Sequence, residues 1–334
     1  DIVFGDWSSD VCSSDLGFEA EHPDVLLGVG MGSVAPLVPG SWPDPELMKD
    51  IRKQPDLGEP NRLSQDHQPW PIIDAVAAAC EKPPLSLPSV LCPESSAEIA
   101  SARRIDARQI IRQRRSAVAM DGVTAISLAT FLGQLRRTLP YPGYPVWRAW
   151  PWPASVHLAL FVHRVEGLPR GLYWLDRDLV SPGCCRTLLR PDFDWQRPAG
   201  CPATVPLHRL REGDYGEVSE ELCCRQSIAA DGAYAVAMVA VMERRLHEHG
   251  PWFYRRLFWE CGMIGQILYL EAEAAGVRAT GIGCFFDDPT HQLLGISDHS
   301  CQSLYHLTVG GPVEDPRIQQ REAYFHRRLR PERP

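Results

Sequence analysis

Residues 252–286 read WFYRRLFWECGMIGQILYLEAEAAGVRATGIGCFF. Phe253, Leu257, Cys261, Ile264, Leu268, Ala272 and Ala275 recur at three- and four-residue steps, which sets them on one face of a helix over 252–275. Gly276 stands where that helix would close in a left-handed cap. Residues 278–285 then read as a strand. Asp288, followed by Pro289, reads as the N-cap of a short helix over 290–294, and a further strand spans 302–310.

Working upstream, 233–242 is an apolar run of strand length and 217–227 reads as helix. Residues 156–165 alternate, with Leu158, Leu160 and Val162 facing one way and His157, Ala159, Phe161 and His163 the other. Residues 171–175 follow a Gly-Leu-Pro-Arg turn and should pair with that strand as a hairpin. Earlier still come a helix over 97–113, a turn at Asp121-Gly122, and Ser127 as N-cap of a helix over 128–137. Strands and helices mix without strict β-α alternation, which favours α+β with a mixed, mainly antiparallel sheet flanked by helices. Gly262 and Gly265, near one face of the long helix, read as a site of close backbone packing.

The 334 residues carry a net charge of −8, with 44% apolar and 23% charged residues. That is the balance of a globular protein, and an acidic one argues against nucleic acid or an anionic membrane as partner. No apolar run approaches the ~20 residues of a spanning helix, and no charged-then-apolar leader is seen, so a cytoplasmic protein is expected. The eleven cysteines lack zinc-site spacing: Cys184-Cys185 and Cys223-Cys224 are adjacent pairs, with no matched C-x₂-C units. Free, mostly buried thiols are the expectation, with no metal. His157 and His163 read as satisfied or surface histidines, and His247-Glu248-His249 as a solvated helix end.

The first residues follow no fold logic. Ser8 to Asp15 repeats a Ser-Ser-Asp unit, and Cys12 to Leu16 back-translates to the end of a common sequencing adapter, so residues 1–16 are read as an assembly artefact. Residues 17–96 form a Pro/Gly-rich linker with one helix over 70–80, opened by Pro71. The glycine motif at 28–33 lacks a surrounding β-α-β unit, and Pro36 and Pro39 forbid the helix a nucleotide-binding loop needs. The main domain spans 97–320, and 321–334 is a basic tail.

Three pieces of that domain, in order, resemble the FMN-dependent nitroreductase family. Arg114-Arg115-Ser116 is similar to the family's Arg-x-Ser, which grips the FMN phosphate; guanidinium forks and a hydroxyl suit a dianion. The long helix followed by Thr280-Gly281-Ile282-Gly283 is similar to the family's helix and Ile-Gly strand, whose amides face the flavin ring. Val309 to Arg317 is similar to the closing strand and turn, with Arg317 as the last phosphate contact. The resemblance therefore implies cofactor contacts from Arg114, Arg115, Ser116, Gly281, Ile282, Gly283 and Arg317, and no protein side chain as catalytic group.

Residues 252–260, 286–288 and 303–306 further resemble the SagB-type branch, some of whose members oxidise azolines in peptides. Many members carry two such halves in one chain, and 19–28 resembles the tail of a first half. The resemblance implies FMN as cofactor, NAD(P)H as electron donor, a small-molecule or peptide substrate, and a homodimer or a pseudo-dimer with a lost N-terminal half. Two departures stand out: Val118 replaces a basic residue, and 144–152 replaces a polar loop that holds the flavin pyrimidine. They leave an alternative, a non-catalytic half-domain serving as scaffold or peptide-docking partner. A zinc-dependent hydrolase is disfavoured.

Overall fold

A computed structural model describes residues 70–83, 105–141, 143–148, 150–319, 321–323 and 325. The repeat at 8–15, the glycine motif at 28–33, residues 97–104 and the basic run at 326–330 lie outside the described residues. The chain divides into two units, Asp1–Ala75 and Val76–Pro334. Helix α1 (Pro71–Ala79) starts in the first unit, where the sequence places it, and has no buried residue.

The second unit runs through α2 (Ala107–Gln113), β1 (Ile126–Ser127), α3 (Leu128–Thr138), α4 (Pro145–Arg148), β2 (Val156–Val162), β3 (Val165–Glu166) and β4 (Gly171–Leu175). It continues with β5 (Leu207–Glu212), α5 (Gly216–Leu222), α6 (Ile228–Asp231), β6 (Tyr234–Val241) and α7 (Met242–His249). It closes with α8 (Tyr254–Ala274), β7 (Arg278–Ile282), α9 (Asp287–Leu294) and β8 (Cys301–Gly310).

Six strands form one sheet in the order β5-β4-β2-β6-β8-β7, every neighbour antiparallel. The parallel pair β1–β3 stands apart. This is the α+β architecture expected. The hairpin of β2 and β4 forms as read, with Leu158 opposite Leu175 and Val162 opposite Gly171.

Helices cover both faces of the sheet. On one, Leu158, Leu160, Val236 and Leu307 pack with Phe131 of α3 and Leu257 and Leu268 of α8. On the other, Phe161, Trp174 and Val239 pack with Leu222 of α5, Ile228 of α6 and Leu294 of α9. The alternation in β2 therefore separates two cores, and not core from solvent. β6 is buried at every position, which is why its sequence is a continuous apolar run.

Several boundaries differ from the sequence reading. α2 starts at Ala107 because the Asp106 side chain caps it, accepting from Arg108 N at 3.0 Å. The helix expected over 217–227 stops at Leu222, since Cys224 and Arg225 take left-handed φ of 55° and 58°. The strand expected over 278–285 ends at Ile282. Asp288 is not an N-cap: α9 begins at Asp287, and Asp288 lies within its first turn. The long helix loses its first two residues to a 3₁₀ turn, Pro251–Phe253, and ends as expected before Gly276, whose φ is +79°. Gly262 faces open space and Gly265 meets side chains of Met238 and Leu307, so neither marks a backbone contact.

Ser127 caps α3 as read, accepting from Thr130 N at 3.2 Å. Nine cysteines are described and free, five of them buried. Among the described residues no helix is long and apolar enough to cross a membrane.

Candidate functional site

β7 is an edge strand, and the three stretches singled out in the sequence meet beside it. The chain leaving α2 runs along the sheet, where Ala117 O accepts from Thr280 Oγ1 at 2.7 Å. Asp121 N donates to Gly311 O and Val313 N to Ala119 O, each at 2.9 Å. Residues 117–121 thereby tie β7 to the turn after β8, although more than 150 residues separate them in sequence.

At the centre of this edge stands Tyr269 of α8. Its hydroxyl lies 3.0 Å from Ser116 Oγ and accepts from Gly281 N at 2.7 Å. The Arg114 guanidinium stacks 5.0 Å from the centre of its ring, a cation–π contact. Arg114, Ser116 and Gly281 are thus brought together by one phenol that sequence reasoning missed. The only signal was a tyrosine on the flank of a helix otherwise read for its apolar face.

Arg115 folds back on the end of α2, donating through Nη1 to the carbonyls of Arg112 and Arg114 at 3.1 and 2.8 Å. Ser116 and Val118 are exposed. A Cβ on Gly281 would overlap the Tyr305 hydroxyl, so this position needs glycine for close approach. Ile282 is buried in the core. Gly283 is exposed, and a Cβ there would meet nothing within 4 Å.

Arg317 does not join the knot at Tyr269. Its guanidinium grips Asp315, Nε to Oδ1 at 2.9 Å and Nη2 to Oδ2 at 2.7 Å, with the arginine side chain 89% exposed. Those hydrogen bonds hold the Asp315 carboxyl below its ordinary range. Arg278 pairs with Glu314 at 2.8 Å on the same turn.

Beyond Gly283, Phe285 stacks on His306 with ring centres 4.4 Å apart. His306 Nδ1 lies 3.4 Å from Cys223 Sγ, and its Nε2 lies 3.0 Å from Ser303 Oγ. All three are at most 2% exposed, and burial pushes the imidazole down to about 3. A neutral, enclosed histidine with both nitrogens engaged is a core histidine and not a nucleophile's base. His163 is likewise buried and neutral: its Nε2 lies 3.1 Å from Ala229 O, its Nδ1 has no partner, and burial lowers it to about 4. The solvated reading of 247–249 holds for His247, whereas His249 stacks on Phe253 at 4.3 Å.

An open cleft of about 500 Å³ lies between His163, Arg170, Asp214, Glu217 and Asp231. Its cations are already engaged: Arg170 pairs with Asp214 at 2.6 Å, and Arg164 donates to the carbonyls of Ala230 and Gly232.

Residues 194–311 match the nitroreductase family, a span that holds β5 to β8 and Gly281–Gly283 but neither Arg114–Ser116 nor Arg317. No curated protein matches the chain. Among solved structures, it is similar to a chain from Anabaena variabilis classed as a nitroreductase, with 22% identity and a TM-score of 0.48. That match covers 62% of this chain and 38% of the other, so this chain spans well under half the length of that relative. A nitroreductase-classed chain from Ralstonia eutropha gives 13% identity and a TM-score of 0.44, covering 65% and 88%. The E. coli microcin synthetase McbBCD complex with truncated pro-MccB17 bound gives 16% identity and a TM-score of 0.44, covering 68% and 78%.

Proposed function

We propose that this chain is an FMN-dependent oxidoreductase of the nitroreductase type, with its flavin site at the β7 edge. The observation that carries the reading is the meeting of Arg114, Ser116 and Gly281 at Tyr269. A cation and an exposed hydroxyl at one end of this edge suit a phosphate. At the other end, the exposed backbone at Gly283 leaves room for a flat ring, as nothing lies within 4 Å of where its side chain would be.

In this reading Arg114, Arg115 and Ser116 hold the phosphate and Gly283 borders the ring, while Ile282, expected to join it, is buried and anchors the strand to the core. Gly281 serves from behind, its amide being committed to Tyr269. Arg317 reaches the phosphate by exchanging Asp315 for the dianion, a small cost because exposed ion pairs contribute little. When held there, FMN would supply two-electron hydride chemistry, with NAD(P)H or an organic molecule as the donor. The chain's own residues bind and orient; none is assigned a proton. The substrate class is a small organic molecule or, as in the SagB-type branch, an azoline in a peptide. The open edge is completed by a second copy or by a preceding half of the same protein.

Purified chain titrated with FMN tests this through flavin fluorescence and absorbance. Arg114→Ala and Ser116→Ala should each weaken binding, the arginine by about tenfold or more, since hydrogen bonds to charged groups contribute ~1.5–3 kcal/mol. A second reading, a non-catalytic half-domain, is favoured by the engaged Gly281 amide and Arg317. Folded protein that leaves FMN fluorescence unchanged, alone and as a dimer, decides for it.

A further inference from the structure

We propose that His157, Cys184 and Cys185 form a binding site for one thiophilic divalent cation, with Zn²⁺ as the type case. The ligand atoms of these three side chains all lie within 4.8 Å of one another. They come from β2 and from the loop after β4, which is why no local spacing in the sequence reveals them.

The geometry suits a tetrahedral ion. Cys184 Sγ and Cys185 Sγ stand 3.7 Å apart and are not bonded to each other. Two thiolates bound at about 2.3 Å to one tetrahedral zinc are separated by about 3.8 Å. Little movement is needed to close the sulfurs on a shared ion.

The surroundings hold the three ligands in place. Asp176 Oδ1 and the backbone N of Arg177 lie 3.0 and 3.2 Å from His157 Nδ1, which leaves Nε2 as the nitrogen for an ion, and Asp176 Oδ2 accepts from the backbone N of Gly183, next to Cys184. A carboxylate on a ligating imidazole orients the ring and raises its basicity; here the same carboxylate also fixes the cysteine loop. Asp178 pins the rest of that loop by accepting from Val180 N at 3.0 Å and Ser181 N at 2.9 Å. The His157 ring lies flat against Trp174, centres 5.6 Å apart and planes within 13°. His157 and Cys185 are 1% exposed while Cys184 is half-buried, so a fourth position remains open on the Cys184 side for water or another ligand.

Charge also balances. Binding M²⁺ releases the two thiol protons to solvent, so the ion, two thiolates and a neutral imidazole sum to zero charge, with the Asp176 carboxylate beside His157 as the one further charge held against the ligands.

The test uses the full chain, reduced and freed of metal, titrated with Co²⁺ and then Zn²⁺. The expected result is a thiolate-to-cobalt charge-transfer band that saturates at one ion per chain and is bleached by Zn²⁺. Zn²⁺ should also raise the melting temperature and protect the half-buried Cys184 from alkylation, read by peptide mapping of the unmutated protein. Cys184→Ser, at the half-buried ligand, should lose roughly half of the band, and Cys184→Ser with Cys185→Ser all of it; Cys284→Ser should keep it. Folded protein without the band and without protection overturns the proposal, as does an undiminished band in the double variant.

Discussion

At the residue scale, Tyr269 illustrates what a sequence can and cannot reveal. Arg114, Ser116 and Gly281 stand out in the sequence through the resemblance of Arg114-Arg115-Ser116 and Gly281-Ile282-Gly283 to a family's motifs, and the structure brings the three side by side. Tyr269 does not stand out, because which flank of a helix touches a distant strand is decided by tertiary packing. Its hydroxyl holds two partners, so Tyr269→Phe strands the Gly281 amide. The expected cost is about 1–2 kcal/mol, read as a lower urea midpoint at unchanged slope, together with weaker FMN binding. Unchanged stability would mean that solvent replaces the phenol. The buried histidines make a second prediction. His163 is held near 4 and His306 near 3 against an ordinary value of about 6.5. Below 6.5 the unfolded chain takes up protons that the native one refuses, so their stabilisation is complete above pH 6.5 and drains away as pH falls toward 4. For His163 alone the loss amounts to about 3 kcal/mol, and its Nδ1 has no partner to receive a proton's hydrogen bond. Urea midpoints at pH 7, 6 and 5 should fall for the parent protein and fall less for His163→Asn.

At the scale of elements, the strands and the long helix were read well where periodicity spoke, and helix ends were misread where caps decided. α2 begins where Asp106 places it, and no apolar period marks that point. α5 ends because two non-glycine residues turn left-handed, which no propensity signals. Arg225 is exposed and sits at φ 58°. A left-handed L-residue costs roughly 1–2 kcal/mol, which glycine avoids while losing more chain entropy. Arg225→Gly is therefore expected to stabilise by about 0.5–1 kcal/mol, seen as a small rise in melting temperature. A fall would show that the arginine side chain holds the turn.

At the scale of the molecule, the α+β class followed from the mixture of periods, but the strand order did not, because antiparallel pairings over long separations leave no mark in a single sequence. The buried ion pair that joins the layers was equally unreadable, its halves being an arginine in a loop and a glutamate on the long helix. Arg177 and Glu260 are both fully buried and meet at 2.5 Å. Arg177 also donates to Thr138 O of α3 at 2.8 Å and Val156 O of β2 at 2.6 Å, and its guanidinium lies 4.8 Å from the Trp147 ring. Glu260 accepts from Ser155 N at 3.0 Å. One pair thus ties α3, α8 and the sheet. Removing either partner leaves a charge in a place without water, so Glu260→Leu or Arg177→Met alone is expected to cost about 3–5 kcal/mol. Removing both leaves no unpaired charge, only the orphaned Thr138, Val156 and Ser155 backbone groups. The double variant should therefore be more stable than either single one, a coupling that denaturation midpoints of the four proteins would measure. If the two single losses simply add, the pair is not what couples the layers, and its neighbours hold them together without it.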